Sequence, residues 1–147
     1  MKRVHVHVGT RDLEGSRRFY SALLGAEPAV ERDDYLKWSL DDPPLNLAVS
    51  TFAAGGGVDH LGIEVDDDAL VPAVDRRLQA ASQVTDPEPA VECCYHRSTK
   101  VWATDPQGVA WECFRSHGLA PRAENIPTVK VAACCAPAET IGDACCS

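Results

Sequence analysis

The chain has 147 residues, 22 acidic against 14 basic side chains, a formal charge of -8 and 45% hydrophobic residues. That is enough apolar material for one core and too little length for a multidomain assembly. No run of lysine and arginine offers a basic face, so a nucleic-acid partner is excluded, and no apolar stretch reaches the ~20 residues of a membrane span. Met1-Lys2-Arg3 leads into an alternating segment and not into the apolar block of a signal peptide, which reads as a cytoplasmic protein.

Arg3-Val4-His5-Val6-His7-Val8 alternates strictly, predicting a strand with valines on one face and both histidines on the other. Asp12 follows as a helix N-cap. Leu13, Phe19, Tyr20, Leu23 and Leu24 then recur at helical spacing up to Gly25, which predicts an amphipathic helix covering a sheet. Short alternating runs around Ala29-Glu31, Tyr35-Leu40 and Leu45-Ser50 are divided by the turn-forming clusters Asp33-Asp34 and Asp41-Asp42-Pro43-Pro44.

After Gly55-Gly56-Gly57 the order starts again, with a strand over Val58-Val65 and a helix over Asp67-Ala81. Strands are predicted near Glu92-Tyr95, Lys100-Ala103 and Val109-Arg115. Superposing His5 on His60 brings Asp12 onto Asp67, Phe19 onto Val74 and Leu23 onto Leu78, so cap and apolar stripe recur together. The predicted class is α+β: one domain over 1–117, built of two βαβββ modules (about 1–53 and 58–117) in a curved mixed sheet with helices packed outside. Residues 118–147 hold scattered prolines and alanines with few large apolar side chains, which predicts a flexible tail.

Six of the seven cysteines form adjacent pairs, Cys93-Cys94, Cys134-Cys135 and Cys145-Cys146. A bond between neighbours closes a strained ring and removes almost no loop entropy, so these read as reduced dithiols suited to soft metals or metalloids. Cys113 alternates with Glu112 onto the helix-covered face and reads as a small buried hydrophobe.

The opposite face carries His5 and His7 in the first unit, His60 and Glu64 in the second, and Glu112 on the last strand. His5, His60 and Glu112 would form a two-histidine, one-carboxylate facial set with open coordination positions. His7 shares the face of His5 and competes with it, or stands behind the ligands as a hydrogen-bond donor; Glu64 is a weaker competitor.

These residues bring a family into view. The paired modules, the Asp12-Leu13-Glu14 and Phe19-Tyr20 helix opening, His60-Leu61-Gly62, and the Asp105-Pro106-Gln107-Gly108 turn into Trp111-Glu112 resemble the vicinal oxygen chelate superfamily (glyoxalase, bleomycin resistance and dioxygenase proteins) over residues 3 to 116. Asp42-Pro43-Pro44-Leu45, Asp59-His60-Leu61-Gly62 and Cys93-Cys94-Tyr95 followed by Lys100-Val101-Trp102 are similar to its carbon-arsenic lyases and cadmium-induced proteins. The segments Gly15-Ser16-Arg17-Arg18, Glu31-Arg32-Asp33-Asp34-Tyr35 and His96-Arg97-Ser98 depart from that wording.

The resemblance implies Fe(II) on His5, His60 and Glu112, with O2 as co-substrate and Cys93 and Cys94 holding a trivalent organoarsenical. Nickel, cobalt, zinc or cadmium would be able to replace the iron in a crystal. The implied reaction cleaves methylarsenite or trivalent aromatic arsenicals to arsenite, giving organoarsenical resistance. Tyr95 and Lys100 flank the cysteine loop as candidate contacts, and Cys134, Cys135, Cys145 and Cys146 as accessory thiols. A homodimer is the expected assembly. The competing readings are a cadmium- or arsenite-binding resistance protein without turnover, and another metalloenzyme of the superfamily.

Overall fold

The computed structural model describes residues 2–53, 55–93 and 95–121. Cys94 and the tail cysteines Cys134, Cys135, Cys145 and Cys146 lie outside the described residues. The first half runs β1 (Arg3–Gly9), α1 (Leu13–Leu24), β2 (Val30–Arg32), β3 (Tyr35–Asp41) and β4 (Pro44–Ser50). The second runs β5 (Gly57–Glu64), α2 (Leu70–Ala80), β6 (Thr85–Cys93), β7 (His96–Thr104) and β8 (Ala110–Leu119).

Among the described residues the strands form one mixed, curved sheet in the order β2-β3-β4-β1-β5-β8-β7-β6. Counted outward from the central antiparallel β1–β5 pair, both halves follow the same plan: the first strand lies parallel to its last, and two antiparallel strands continue to the edge. This is the βαβββ architecture twice over.

Each helix covers the outer face of its own half. Leu36, Trp38, Leu47 and Val49 form one buried cluster, packed by Val6, Val8 and by Leu13, Tyr20 and Leu24 of α1. Val65, Val71, Val101 and Cys113 form the other, packed by Leu70 and Val74 of α2. The apolar stripe of α1 is narrower than its sequence suggests, because Phe19 and Leu23 remain 60% and 65% exposed.

Local chemistry sets the helix ends. The Asp12 carboxylate accepts the Gly15 N–H at 2.8 Å, and Gly25 closes α1 at φ 64°, a conformation only glycine adopts cheaply. The parallel with Asp67 fails in detail. Asp67 accepts the Ala69 N–H at 2.9 Å in a turn ahead of the helix, and α2 starts at Leu70 without a side-chain cap. Strand β6 also begins earlier than the alternation predicts, taking in Pro87 and Pro89. It is an edge strand, where a missing N–H need not break a ladder bond.

Candidate metal centre

The inner face of the sheet is polar and nevertheless buried. His5, His7, Asn46, His60, Lys100 and Glu112 are all at or below 7% exposure, whereas Val4, on the outer face of β1, is 55% exposed. His5 pairs in register with Gly62, and Gly62 with Glu112, so the three occupy one row across β1, β5 and β8. Gly62 is what lets the row close. A Cβ there would stand 2.6 Å from the Glu112 carbonyl oxygen and 2.9 Å from its Cγ, so only glycine leaves room for the Glu112 side chain to lie across β5.

His60 comes from the same β1–β5 ladder, opposite His7. The register slips just there, pairing Val8 with Val58 and leaving Asp59 without a partner in the ladder. Such a bulge re-aims a side chain that strict alternation would send to the other face. Asp59 Oδ2 thereby reaches His60 Nδ1 at 2.7 Å.

These contacts fix both tautomers. His5 Nδ1 lies 3.1 Å from the Asn46 carbonyl oxygen, which can only accept, so Nδ1 carries the hydrogen and Nε2 is left for the interior. Asp59 does the same for His60. The two Nε2 atoms then stand 3.3 Å apart, with Glu112 Oε1 at 3.4 Å from His5 and 3.6 Å from His60. The second oxygen of Glu112 accepts from Lys100 Nζ at 2.7 Å.

Two bare lone pairs at such a separation repel, and the charges respond. Burial, reinforced by His60 and Lys100, pulls His5 down to about 4 against the opposing attraction of Glu112. His7 falls to about 3 through burial and the neighbouring histidines. For His60 burial is outweighed by hydrogen bonds to Asp59 and Glu112, which raise it to about 9. Burial likewise opposes ionisation of Glu112, yet Lys100 and the histidines hold its carboxyl well below the usual range. Of the three histidines, His60 is thus the one whose surroundings favour the protonated form.

The space between His5, His60 and Glu112 fits a divalent cation. The point equidistant from the three facing atoms lies about 2.0 Å from each, and first-row cations take nitrogen and oxygen ligands at about 2.0–2.2 Å. His7 enlarges the cluster: His5, His7 and His60 each present a ligand atom, all within 4.8 Å of one another, a group able to coordinate a divalent metal. His7 Nε2 also shares a 2.9 Å hydrogen bond with the Ser50 hydroxyl, and its ring meets His60 edge-on at 4.8 Å.

Around the centre stand Trp102, edge-on to His60 at 5.1 Å, Phe114, edge-on to His5 at 5.2 Å, and Tyr35 and Phe52, stacked at 6.2 Å beside His7. Lys100 is buried within β7, not in an exposed loop. Tyr95 occupies the β6–β7 turn, its hydroxyl 2.6 Å from Asp34 Oδ1. Glu64 faces Asn46 and Arg3, away from the three-atom cluster. Sequence reasoning missed Asp59 and the spacing role of Gly62. A bulge leaves no mark in the alternation pattern, although the Asp59-His60-Leu61-Gly62 motif contained both residues.

The family model described as the Glyoxalase/Bleomycin resistance protein/Dioxygenase superfamily matches residues 2–113. The chain belongs to this superfamily. Within the superfamily, it is 36% identical over 154 residues to the trivalent organoarsenical cleaving enzyme of Thermomonospora curvata, covering 99% of this chain and 100% of that protein. It is 35% identical over 142 residues to the cadmium-induced protein CadI of Mycobacterium tuberculosis, covering 92% of this chain and 93% of CadI. The superfamily fold is seen again in homoprotocatechuate 2,3-dioxygenase from Arthrobacter globiformis, with a TM-score of 0.61 at 21% identity over 83% of this chain and 38% of that longer one.

Proposed function

We propose that the protein is a carbon-arsenic lyase of the dioxygenase type, cleaving methylarsenite and trivalent aromatic arsenicals to arsenite. His5, His60 and Glu112 hold Fe(II) in this reading, and Cys93 and Cys94 take the arsenic. The observation that carries it is the triangle of three buried ligand atoms at 3.3, 3.4 and 3.6 Å, in a chain 36% identical to an organoarsenical cleaving enzyme over its whole length. Iron held by three protein ligands retains open positions and a redox couple with O2 that zinc or cadmium lacks.

The chain's own residues do the rest. Asn46 and Asp59 hold the imidazoles with Nε2 inward, and Lys100 turns one oxygen of Glu112 away so that the other faces the histidines. A monoalkyl or monoaryl arsenic(III) centre has two exchangeable valences, which two neighbouring thiolates satisfy, leaving the organic group as the remaining substituent. Trp102, Phe114, Tyr35 and Phe52 wall the inner face with aromatic rings, giving that organic group an apolar surface and limiting water. Capture by the thiols makes the subsequent cleavage effectively intramolecular.

The test is anaerobic reconstitution with Fe(II), then addition of methylarsenite and air, with arsenic species separated over time. Arsenite formed over many turnovers, and only with both iron and O2, is the expected result. Stoichiometric binding without product, for methyl and aromatic substrates alike, would instead identify a sequestering protein on the same fold.

A further inference from the structure

The two arms of the sheet touch through side chains on β3, the β2–β3 turn, the β6–β7 turn and the start of β7. Lys37, buried on the inner face of β3, places Nζ 3.2 Å from His96 Nε2. An ammonium can only donate, so His96 Nε2 is the acceptor of this contact. The second contact is the Tyr95 hydroxyl, donating to Asp34 Oδ1 at 2.6 Å. Both residues on the far arm belong to the β6–β7 hairpin that carries the cysteine pair, and His96 is the register partner of Cys93.

The hairpin does not rest in a relaxed turn. Tyr95 stands at φ 64°, a region that a bulky residue occupies only when its surroundings force it. Here four groups converge on it. Besides the Asp34 bond, its ring lies 5.6 Å from Tyr35, the Arg32 guanidinium sits 5.8 Å from the ring centroid, and its carbonyl accepts the Ala120 N–H at 2.8 Å. Asp34 is itself fixed, its carbonyl accepting from Thr51 N at 3.1 Å.

We infer that Lys37 and Tyr95 are positioning residues for the reaction: through His96 and Asp34 they hold the β6–β7 hairpin against β3 and the β2–β3 turn. The inference rests on the reading in which the hairpin thiols capture arsenic. Neither residue touches His5, His60 or Glu112 in any of the contacts described, so the struts act on where the captured arsenic is held and not on metal retention. Removing one hydrogen bond to a charged group costs about tenfold or more in the equilibrium it supports. The double loss therefore lowers the seated population of the hairpin at least that much.

The experiment uses the full-length, iron-loaded protein and the variants Tyr95→Phe, Lys37→Met, their combination, and Lys37→Arg. Three quantities are read: hydrogen exchange of the backbone amides of residues 91–99, bound iron, and KM and kcat for methylarsenite. Expected in the double variant are hairpin amides exchanging about tenfold faster or more and a KM raised by a similar factor, with iron content unchanged. Lys37→Arg, which keeps charge and donors, should restore both readouts toward the unaltered protein. Unchanged exchange, faster exchange with unchanged KM, or loss of iron would each overturn the inference. If the unaltered protein forms no arsenite, the lyase reading fails by itself. Equilibrium titration with methylarsenite then decides the struts: weaker binding in the double variant upholds them, and equal binding rejects them.

Discussion

Lys100 Nζ lies 2.7 Å from Glu112 Oε2 with both side chains buried, while the other oxygen of the same carboxylate faces His5 and His60. One carboxylate thus divides its two oxygens between a fixed ammonium and the facing pair of imidazoles. Lys100→Met should remove both the anchor of Glu112 and the largest influence favouring its ionised form, weakening metal affinity by about 10–100-fold. Breaking a buried pair also costs about 3–5 kcal/mol of stability, so thermal unfolding of the metal-free variant should shift down clearly. Iron content after gel filtration and calorimetry check the two effects separately.

Gly62→Ala tests the row that brings β1 and β8 together. The added methyl meets the Glu112 backbone at 2.6 Å and must push β8 or the carboxylate aside. The expected result is a folded protein destabilised by about 1–3 kcal/mol, with impaired iron binding despite an intact set of ligands. A variant that binds iron normally would show that Glu112 reaches the site by another route.

Substitutions at the proposed ligands and thiols should separate holding metal from holding arsenic. His60→Ala or Glu112→Ala should remove bound iron and all turnover, whereas Cys93→Ser should abolish turnover with iron still bound. Full activity in Cys93→Ser would dismiss the dithiol capture. Metal analysis and arsenic speciation on the same preparations distinguish the classes.

Protons and metal compete for one space. In the metal-free protein His60 is raised to about 9, so at neutral pH it carries the proton that a divalent cation must expel. Acidification therefore weakens metal binding, by up to about tenfold for each pH unit below that value. His5, lowered to about 4, and Glu112, held below the ordinary carboxylate range, are already deprotonated at neutral pH and add no proton to the exchange. Titration of the metal-free protein with Ni(II) in weak buffer at pH 7 should release about one proton per ion bound. No release would mean that His60 enters the complex already neutral.

Much of this was legible in the chain itself, because strand alternation is a strong signal when one face is polar and the other apolar. Val4-His5-Val6-His7-Val8 declared its two faces, and Trp111-Glu112-Cys113 did the same for β8. What alternation could not say is which face is drier. The histidines are more buried than the valines beside them, because sheet curvature encloses the inner face while the helices only partly cover the outer one. Contacts set by irregularity stayed hidden: Asp59 turns inward at a register slip, and Pro87 and Pro89 sit in a strand because it is an edge. Lys37 and His96 meet only once the sheet has curled, and nothing local to either residue announces the other.

The central β1–β5 seam has a consequence for how the protein comes to hold metal during its synthesis. His5 lies on one side of that seam, His60 and Glu112 on the other, and Glu112 belongs to the last strand to emerge. An unfinished chain offers at most two of the three proposed ligands, and either half alone lacks the register row that sets them facing. Under the proposed ligand set, the site for iron is therefore complete only when β8 has joined β5, and a chain cut short of that strand keeps the histidines without the carboxylate that faces them.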